Sequence, residues 1–316
     1  MKVFQTLLTV LLALVFGLIA SAQDPGAEPS TYLFAQKDSV SLYMDIYDPA
    51  PGSPTELDGT AKPSVLFIFG GGFVMGARNE ASYLPWFRRL TADGYRVISI
   101  DYRLGLRGVK KMGIAQVDIL ENAINLVVED LFSATKYLID NAAELGIDPE
   151  RIVISGSSAG AISALQAEYT ICNGGALASM LPEGFNYAGV MAFAGAILSR
   201  QGAVKFAKEP CPVFLAHGTA DKLVPYDKIG FMNLRFAGAK QIAAALEKAG
   251  SNYNVLRFPG RGHEIAAAMI PLYREELRFL ETNVSGGYKR IVDATINDPS
   301  YTTPAWADAS LDDLYQ

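Results

Sequence analysis

The chain has 316 residues, half of them apolar, and its 33 acidic against 27 basic side chains leave a formal net charge of −6. That length and apolar content suffice for one large core and exclude disorder as the governing state. The acidic balance, with Arg88-Arg89 and Lys110-Lys111 as notable basic doublets and no long basic cluster, excludes a phosphate-backbone binder, so nucleic acid is not an expected partner.

Lys2 is followed by an apolar stretch from Val3 to Ala20, interrupted by Gln5, Thr6, Thr9 and Gly17, and then by Ser21 and Ala22. A charged start, an apolar middle and small residues before a cut make residues 1–22 a secretory signal peptide, cleaved after Ala22. An uncleaved anchor is the rival reading, because the apolar stretch is near spanning length. Export predicts a secreted or periplasmic protein with no stable membrane insertion once the leader is removed. It also makes Cys172 and Cys211 a candidate disulfide, with two separate buried thiols as the alternative.

After a turn-rich leader at 23–30, strands at 32–35 and 41–47 form a hairpin, in which Leu42, Met44 and Ile46 alternate with Ser41, Tyr43 and Asp45. Loop 51–63 leads to a buried strand at 65–69 that runs into Gly70-Gly71-Gly72. Leu84, Phe87 and Leu90 mark a helix within 80–92, a strand follows at 95–100, and a long helical pattern with a kink fills 116–145. The β-branched run Ile152, Val153, Ile154 predicts a strand buried on both faces, followed by a helix over 159–171. Further strands are expected at 188–193, 213–216 and 254–258, with helices near Ala203, over 240–249 and over 268–282, where Pro271 falls in the first turn. This alternation predicts an α/β fold with a mostly parallel central sheet and helices on both faces. One catalytic domain is expected over 23–283, with 284–316 a weakly ordered extension packed on or near it. The interval from Ala194 to Pro212 is too short for a large helical lid.

The chemistry starts at Ser158, where a buried strand meets a helix and Gly156 and Gly160 flank the serine at i−2 and i+2. Glycine is needed there if the serine sits on a tight strand-to-helix turn, which would hold its hydroxyl clear of the sheet beside the N–H groups of a helix start. A serine hydroxyl needs a base oriented by an acid. Of the two histidines, His217 directly follows an apolar strand and reads as a residue fixing the loop beyond it, whereas His263 lies in a loop between strand and helix and is the better base. Asp221 follows a strand end, where the catalytic groups of open α/β sheets gather, and is the expected acid. Asp227 is the alternative, and Glu264 lies too close to His263 to face its far nitrogen. The backbone N–H groups of Gly71, Gly72 and Ala159 are candidates for an oxyanion hole. The scheme needs no metal and no organic cofactor.

Phe69-Gly70-Gly71-Gly72, Asp101-Tyr102-Arg103-Leu104, the stretch from Ile147 to Ile152, Gly156-Ser157-Ser158-Ala159-Gly160, the stretch from His217 to Pro225 and Gly262-His263 together resemble the α/β-hydrolase serine carboxylesterases, in the hormone-sensitive-lipase-like and acetyl-esterase branch. The resemblance covers about residues 30–282. It departs at Phe69, where that family usually carries a loop-supporting histidine, and it implies that Asp101, Tyr102 and Arg103 support the oxyanion loop. The implied function is a secreted esterase hydrolysing short-chain or aryl carboxylic esters through an acyl-serine, with acetyl or feruloyl groups on carbohydrates as the expected substrates. An exported peptidase of prolyl-oligopeptidase type, a lipase and a non-catalytic binding protein on a hydrolase scaffold are the alternatives.

Overall fold

The computed structural model describes residues 28–298 except residue 38 and residues 111–115. The expected signal peptide, its cleavage point at Ala22 and the extension beyond residue 298 lie outside the described residues.

The strands are β1 (Ser30–Lys37), β2 (Val40–Tyr47), the two-residue pair β3 (Glu56–Leu57) and β4 (Thr60–Ala61), β5 (Ser64–Ile68), β6 (Val97–Ile100), β7 (Ile152–Ser157), β8 (Gly189–Phe193), β9 (Ala196–Ser199), β10 (Val213–Gly218), β11 (Lys228–Ile229), β12 (Arg235–Gly238), β13 (Tyr253–Phe258) and β14 (Ile291–Thr295). Nine of them form one sheet in the order β1-β2-β6-β5-β7-β8-β10-β13-β14. The β1–β2 and β2–β6 pairs are antiparallel, and every pair from β6 to β14 is parallel. The sequence patterning explains this order. Every residue of β5, β6, β7, β8 and β10 is buried, as a parallel strand covered on both faces requires. In β2, Leu42, Met44 and Ile46 face the core, but Asp45 is buried as well, because Thr31 donates to it and Arg78 pairs with it.

The helices are α1 (Leu84–Ala92), α2 (Val117–Asp140), α3 (Ala142–Leu145), α4 (Ala159–Cys172), α5 (Ala239–Lys248) and α6 (Tyr273–Arg278). The expected kink in the long helix is the break at Asn141 between α2 and α3. The helix near Ala203 does not form. Residues 201–210 are irregular, with Gly202 at φ +85°, and the chain from β8 to β10 instead lays down β9. The last helix is shorter than 268–282, since Pro271 precedes α6 and residues from Phe279 to Ser285 wind as a π-helical turn. Part of the C-terminal extension is ordered: β14 pairs with β13 from Tyr253–Ile291 to Arg257–Thr295 and closes one sheet edge. The hairpin β11–β12 also lay outside the sequence expectation; it pairs with β9 as a small second sheet beside the main one.

The expected disulfide is absent, and Cys172 and Cys211 are buried free thiols. Glu168, one helical turn before Cys172, collects both: its Oε1 accepts from Cys172 Sγ at 3.2 Å and from the Cys211 backbone N–H at 2.8 Å. Burial pushes both thiols up, and the nearby Glu168 carboxylate adds to it, so neither is poised as a thiolate.

Candidate active site

β7 is the central strand of the nine and ends at Ser157, and α4 begins at Ala159. One residue makes the turn. Ser158 has φ 51° and ψ −116°, a conformation that costs a non-glycine residue about 1–3 kcal/mol and persists only when its surroundings impose it. The surroundings here are backbone. A Cβ on Gly156 would stand 2.3 Å from the Gly160 carbonyl carbon, and one on Gly160 would stand 2.0 Å from the Ile68 carbonyl oxygen. Ser158 N–H donates to Phe193 O at the end of β8 (2.9 Å), and Ser157 Oγ–H donates to Ala266 O (2.8 Å), so two neighbouring segments hold the turn.

His263 stands just beyond the end of β13, at the start of a 3-10 turn from His263 to Ala267. Asp221 stands just beyond the end of β10. The two loops are knitted by backbone: Thr219 N–H donates to Phe258 O (3.0 Å) and Ala220 N–H to Arg261 O (2.9 Å). Gly218 permits this approach, because a Cβ there would meet the Arg261 and Gly262 carbonyl oxygens at 2.3 Å.

The structure brings Ser158, His263 and Asp221 into one hydrogen-bonded line. Asp221 Oδ2 lies 2.7 Å from His263 Nδ1, and His263 Nε2 lies 2.8 Å from Ser158 Oγ. Burial alone would raise the Asp221 pKa, but hydrogen bonds from His217 and His263 outweigh it and hold the carboxyl well below the usual carboxylate range. An ionised Asp221 fixes the proton of His263 on Nδ1, leaving the Nε2 lone pair to accept from the Ser158 hydroxyl. Asp221 Oδ1 in turn accepts from the backbone N–H groups of Leu223 and Val224, both at 2.9 Å. The alternative acid, Asp227, is engaged elsewhere, accepting from Lys240 at 2.7 Å and from Gln241 at 2.6 Å. Glu264 forms no side-chain hydrogen bond to His263 among the described residues.

The glycine run after β5 lies against this turn. A Cβ on Gly70 would touch Ser157 O at 3.1 Å, Gly71 has φ 118° and Gly72 has φ 62°, so the segment takes a backbone path that side chains would obstruct. Gly71, Gly72 and Ala159 therefore lie on the two segments that meet at Ser158. Phe69 replaces the expected histidine as a support rather than as a pocket wall: it is buried, its ring stacks on Tyr102 at a centroid distance of 4.1 Å, and the Tyr102 hydroxyl donates to Phe69 O at 3.0 Å. Asp101 accepts from Arg78 (2.7 Å), while Arg103 reaches away from the loop to Asp130 and Glu129 on α2. Sequence reasoning missed two supports. Tyr83 Oη accepts the Gly70 N–H at 3.0 Å, a link between residues 13 apart that no motif marks. Ser157 was visible only as the neighbour of Ser158. Among the described residues no group of His, Cys, Asp and Glu side chains is arranged to hold a metal ion.

The sequence matches the BD-FAE family over residues 44–174 and the Phospholipase/Carboxylesterase family over residues 116–279, the latter more than half of the chain. It is 30% identical to Neuroligin-like protein glit-1 of Caenorhabditis elegans over 156 residues, 48% of this chain and 20% of that one. It is 33% identical to phenmedipham hydrolase of Pseudarthrobacter oxydans over 144 residues, 44% of this chain and 26% of that one. The chain thus spans about a quarter or less of the length of these relatives. Native esterase 2 of Thermogutta terrifontis shares the fold, with a TM-score of 0.58 and 24% identity across 83% of this chain and 94% of that one. By the extent of the family match and by the nine-stranded sheet, the chain belongs to the phospholipase/carboxylesterase family and has the α/β-hydrolase fold.

Proposed function

We propose that the protein is a serine carboxylesterase acting on short-chain or aryl esters, exported from the cytoplasm. One observation carries the chemistry: the unbroken line from Asp221 Oδ2 through His263 to Ser158 Oγ, with contacts of 2.7 and 2.8 Å. Ser158 Oγ attacks the ester carbonyl as its proton passes to His263 Nε2, and Asp221 holds the imidazolium so formed. The oxyanion collects at the N–H groups of Gly71, Gly72 and Ala159, and the helix start of α4 favours that charge. Collapse breaks the bond to the alcohol oxygen, which leaves with the proton from Nε2. Water then gives its proton to Nε2 and attacks the acyl-serine, and as the bond to Oγ breaks that proton passes from Nε2 to Ser158 Oγ, releasing the acid and regenerating the hydroxyl.

Substrate size rests on the access to this site. Among the described residues, the chain between β8 and β10 holds only a four-residue strand and irregular backbone, which favours an open site and small acyl groups. The Thermogutta terrifontis esterase of the same fold has propionate- and butyrate-bound forms, in keeping with short acyl groups here. Acetyl or feruloyl groups on carbohydrate alcohols are the substrates we favour, since an exported esterase meets polysaccharide outside the cell. Export rests on Lys2, the apolar run that follows and Ala20-Ser21-Ala22. The test is a panel of acetyl, butyryl, octanoyl and feruloyl esters with the wild type and S158A. Acetyl or feruloyl turnover lost in S158A supports the reading, a preference for octanoyl would move it to a lipase, and turnover retained in S158A would remove Ser158 as nucleophile.

A further inference from the structure

His217 takes no part in the steps above, yet it is completely buried beside them, one helical turn's length of sequence before Asp221. Its Nε2 lies 3.1 Å from Val224 O and 3.4 Å from Asp221 Oδ2, the same carboxylate oxygen that holds His263 Nδ1. Both neighbours of Nε2 are acceptors, so Nε2 carries the proton, and it donates to Val224 O with Asp221 Oδ2 set close to its side. The Nδ1 atom has no hydrogen-bond partner, so His217 makes all its polar contacts through one nitrogen. The Tyr226 ring packs edge-on against the imidazole at a centroid distance of 5.8 Å and fixes its plane.

Val224 is thereby held at both ends of its peptide units. Its N–H donates to Asp221 Oδ1 at 2.9 Å, and its carbonyl accepts from His217. The loop from Asp221 to Val224 is closed by the carboxylate itself on one side and by His217 on the other. Without the second tie, the carbonyl of Val224 would be left unsatisfied, and the loop that donates to Asp221 Oδ1 would lose the contact that holds its far end. Asp221 must present Oδ2 to His263 at a fixed distance and angle, so a loose carboxylate lowers the fraction of enzyme in which Nδ1 carries the proton.

We propose that His217 is a positioning residue for the triad, holding Asp221 Oδ2 on His263 through its single N–H at Val224 O and its contact with the carboxylate. This rests on the serine-esterase reading of the site. It predicts that the reach of the donor, and not merely a polar group in the space, decides activity. A glutamine places its amide nitrogen close to the position of Nε2, whereas an asparagine places it near Nδ1 and falls short of Val224 O.

The experiment compares H217Q, H217N and H217F with the wild type and S158A on p-nitrophenyl acetate, reading kcat and KM separately, with thermal melts alongside. We expect H217N and H217F to lose about 100-fold in kcat with KM unchanged, the scale of a misplaced catalytic group, and H217Q to recover most of that loss. The rate of Ser158 labelling by a fluorophosphonate should follow the same order. Equal activity in H217Q and H217N at equal melting temperature would overturn the proposal, as would a loss confined to KM or one that simply tracks the melting temperature. A wild type that turns over no ester would refute the esterase reading instead, and the labelling rates would still decide the role of His217.

Discussion

Gly160, in the first turn of α4, lies directly against the last residue of β5: a methyl group on it would stand 2.0 Å from Ile68 O and 2.7 Å from Phe69 O. The helix that begins at the nucleophile and the strand that leads into the glycine loop are thus spaced by the absence of one side chain. G160A must push them apart. The expected result is a fall of about 100-fold in kcat/KM, because the two segments of the proposed oxyanion hole move relative to each other. An overpacking cost of about 1–3 kcal/mol should accompany it in a denaturant melt. Wild-type activity in G160A would show that the junction yields without moving the site.

Tyr83 supports the same loop from its other side, accepting the Gly70 N–H at 3.0 Å. Gly70 is buried, so Y83F leaves a backbone donor without acceptor or water, at a cost of about 1–3 kcal/mol. We expect a lowered melting temperature and a smaller kcat with little change in KM, since the loop shapes the transition state more than the encounter. Stopped-assay kinetics with p-nitrophenyl acetate and a thermal melt check both.

Asp221 is held ionised because hydrogen bonds from His217 and His263 overcome the burial that would otherwise raise its pKa. D221N replaces the acceptor facing His263 Nδ1 and favours the wrong tautomer, and a loss of about 10⁴-fold in kcat is expected from that cause. The same depressed pKa sets a stability window. The unfolded state takes up the proton first, so the contribution is complete above the ordinary carboxylate range and is lost as pH falls toward the folded value. Acid titration of stability should therefore be shallower in D221N than in the wild type.

The central strands were legible because burial on both faces leaves an unbroken apolar run, as in Ile152, Val153 and Ile154. Ser158, His263 and Asp221 were legible because the tight turn, the loop after one strand and the loop after another each leave a local mark. β14 was not, since its side chains alternate between exposed and half-buried and only backbone pairing to β13 makes it a strand. β11 was hidden because it is only two residues long and both are exposed, and β12 because it is four residues long and ends at Gly238, directly before α5. Glu168, the buried acid that accepts from Cys172 Sγ and from the Cys211 backbone N–H, was also hidden, because no spacing in the sequence reveals where it packs. The role of His217 beyond its own loop likewise depends on where Val224 returns in space.

Trp86 and Glu276 supply a prediction about pH that is independent of catalysis. Trp86 Nε1–H donates to Glu276 Oε2 at 2.7 Å, joining α1 to α6, while Glu276 Oε1 has no partner and the side chain is wholly buried. Burial pushes the carboxyl well above its ordinary range, and the hydrogen bond from Trp86 offsets only part of that. The folded state therefore keeps a proton that the unfolded state gives up once pH passes the ordinary carboxylate range. Stability falls as pH rises through that window, with a limiting slope of about 1.4 kcal/mol per pH unit for one proton. E276Q keeps an acceptor for Trp86 and removes the titration. Its melting temperature relative to the wild type should accordingly rise between pH 4 and pH 8, by an amount that thermal melts at about three pH values across that range measure directly. A difference that stays constant with pH would mean that Glu276 is ionised in the folded protein and that the α1–α6 junction tolerates its charge.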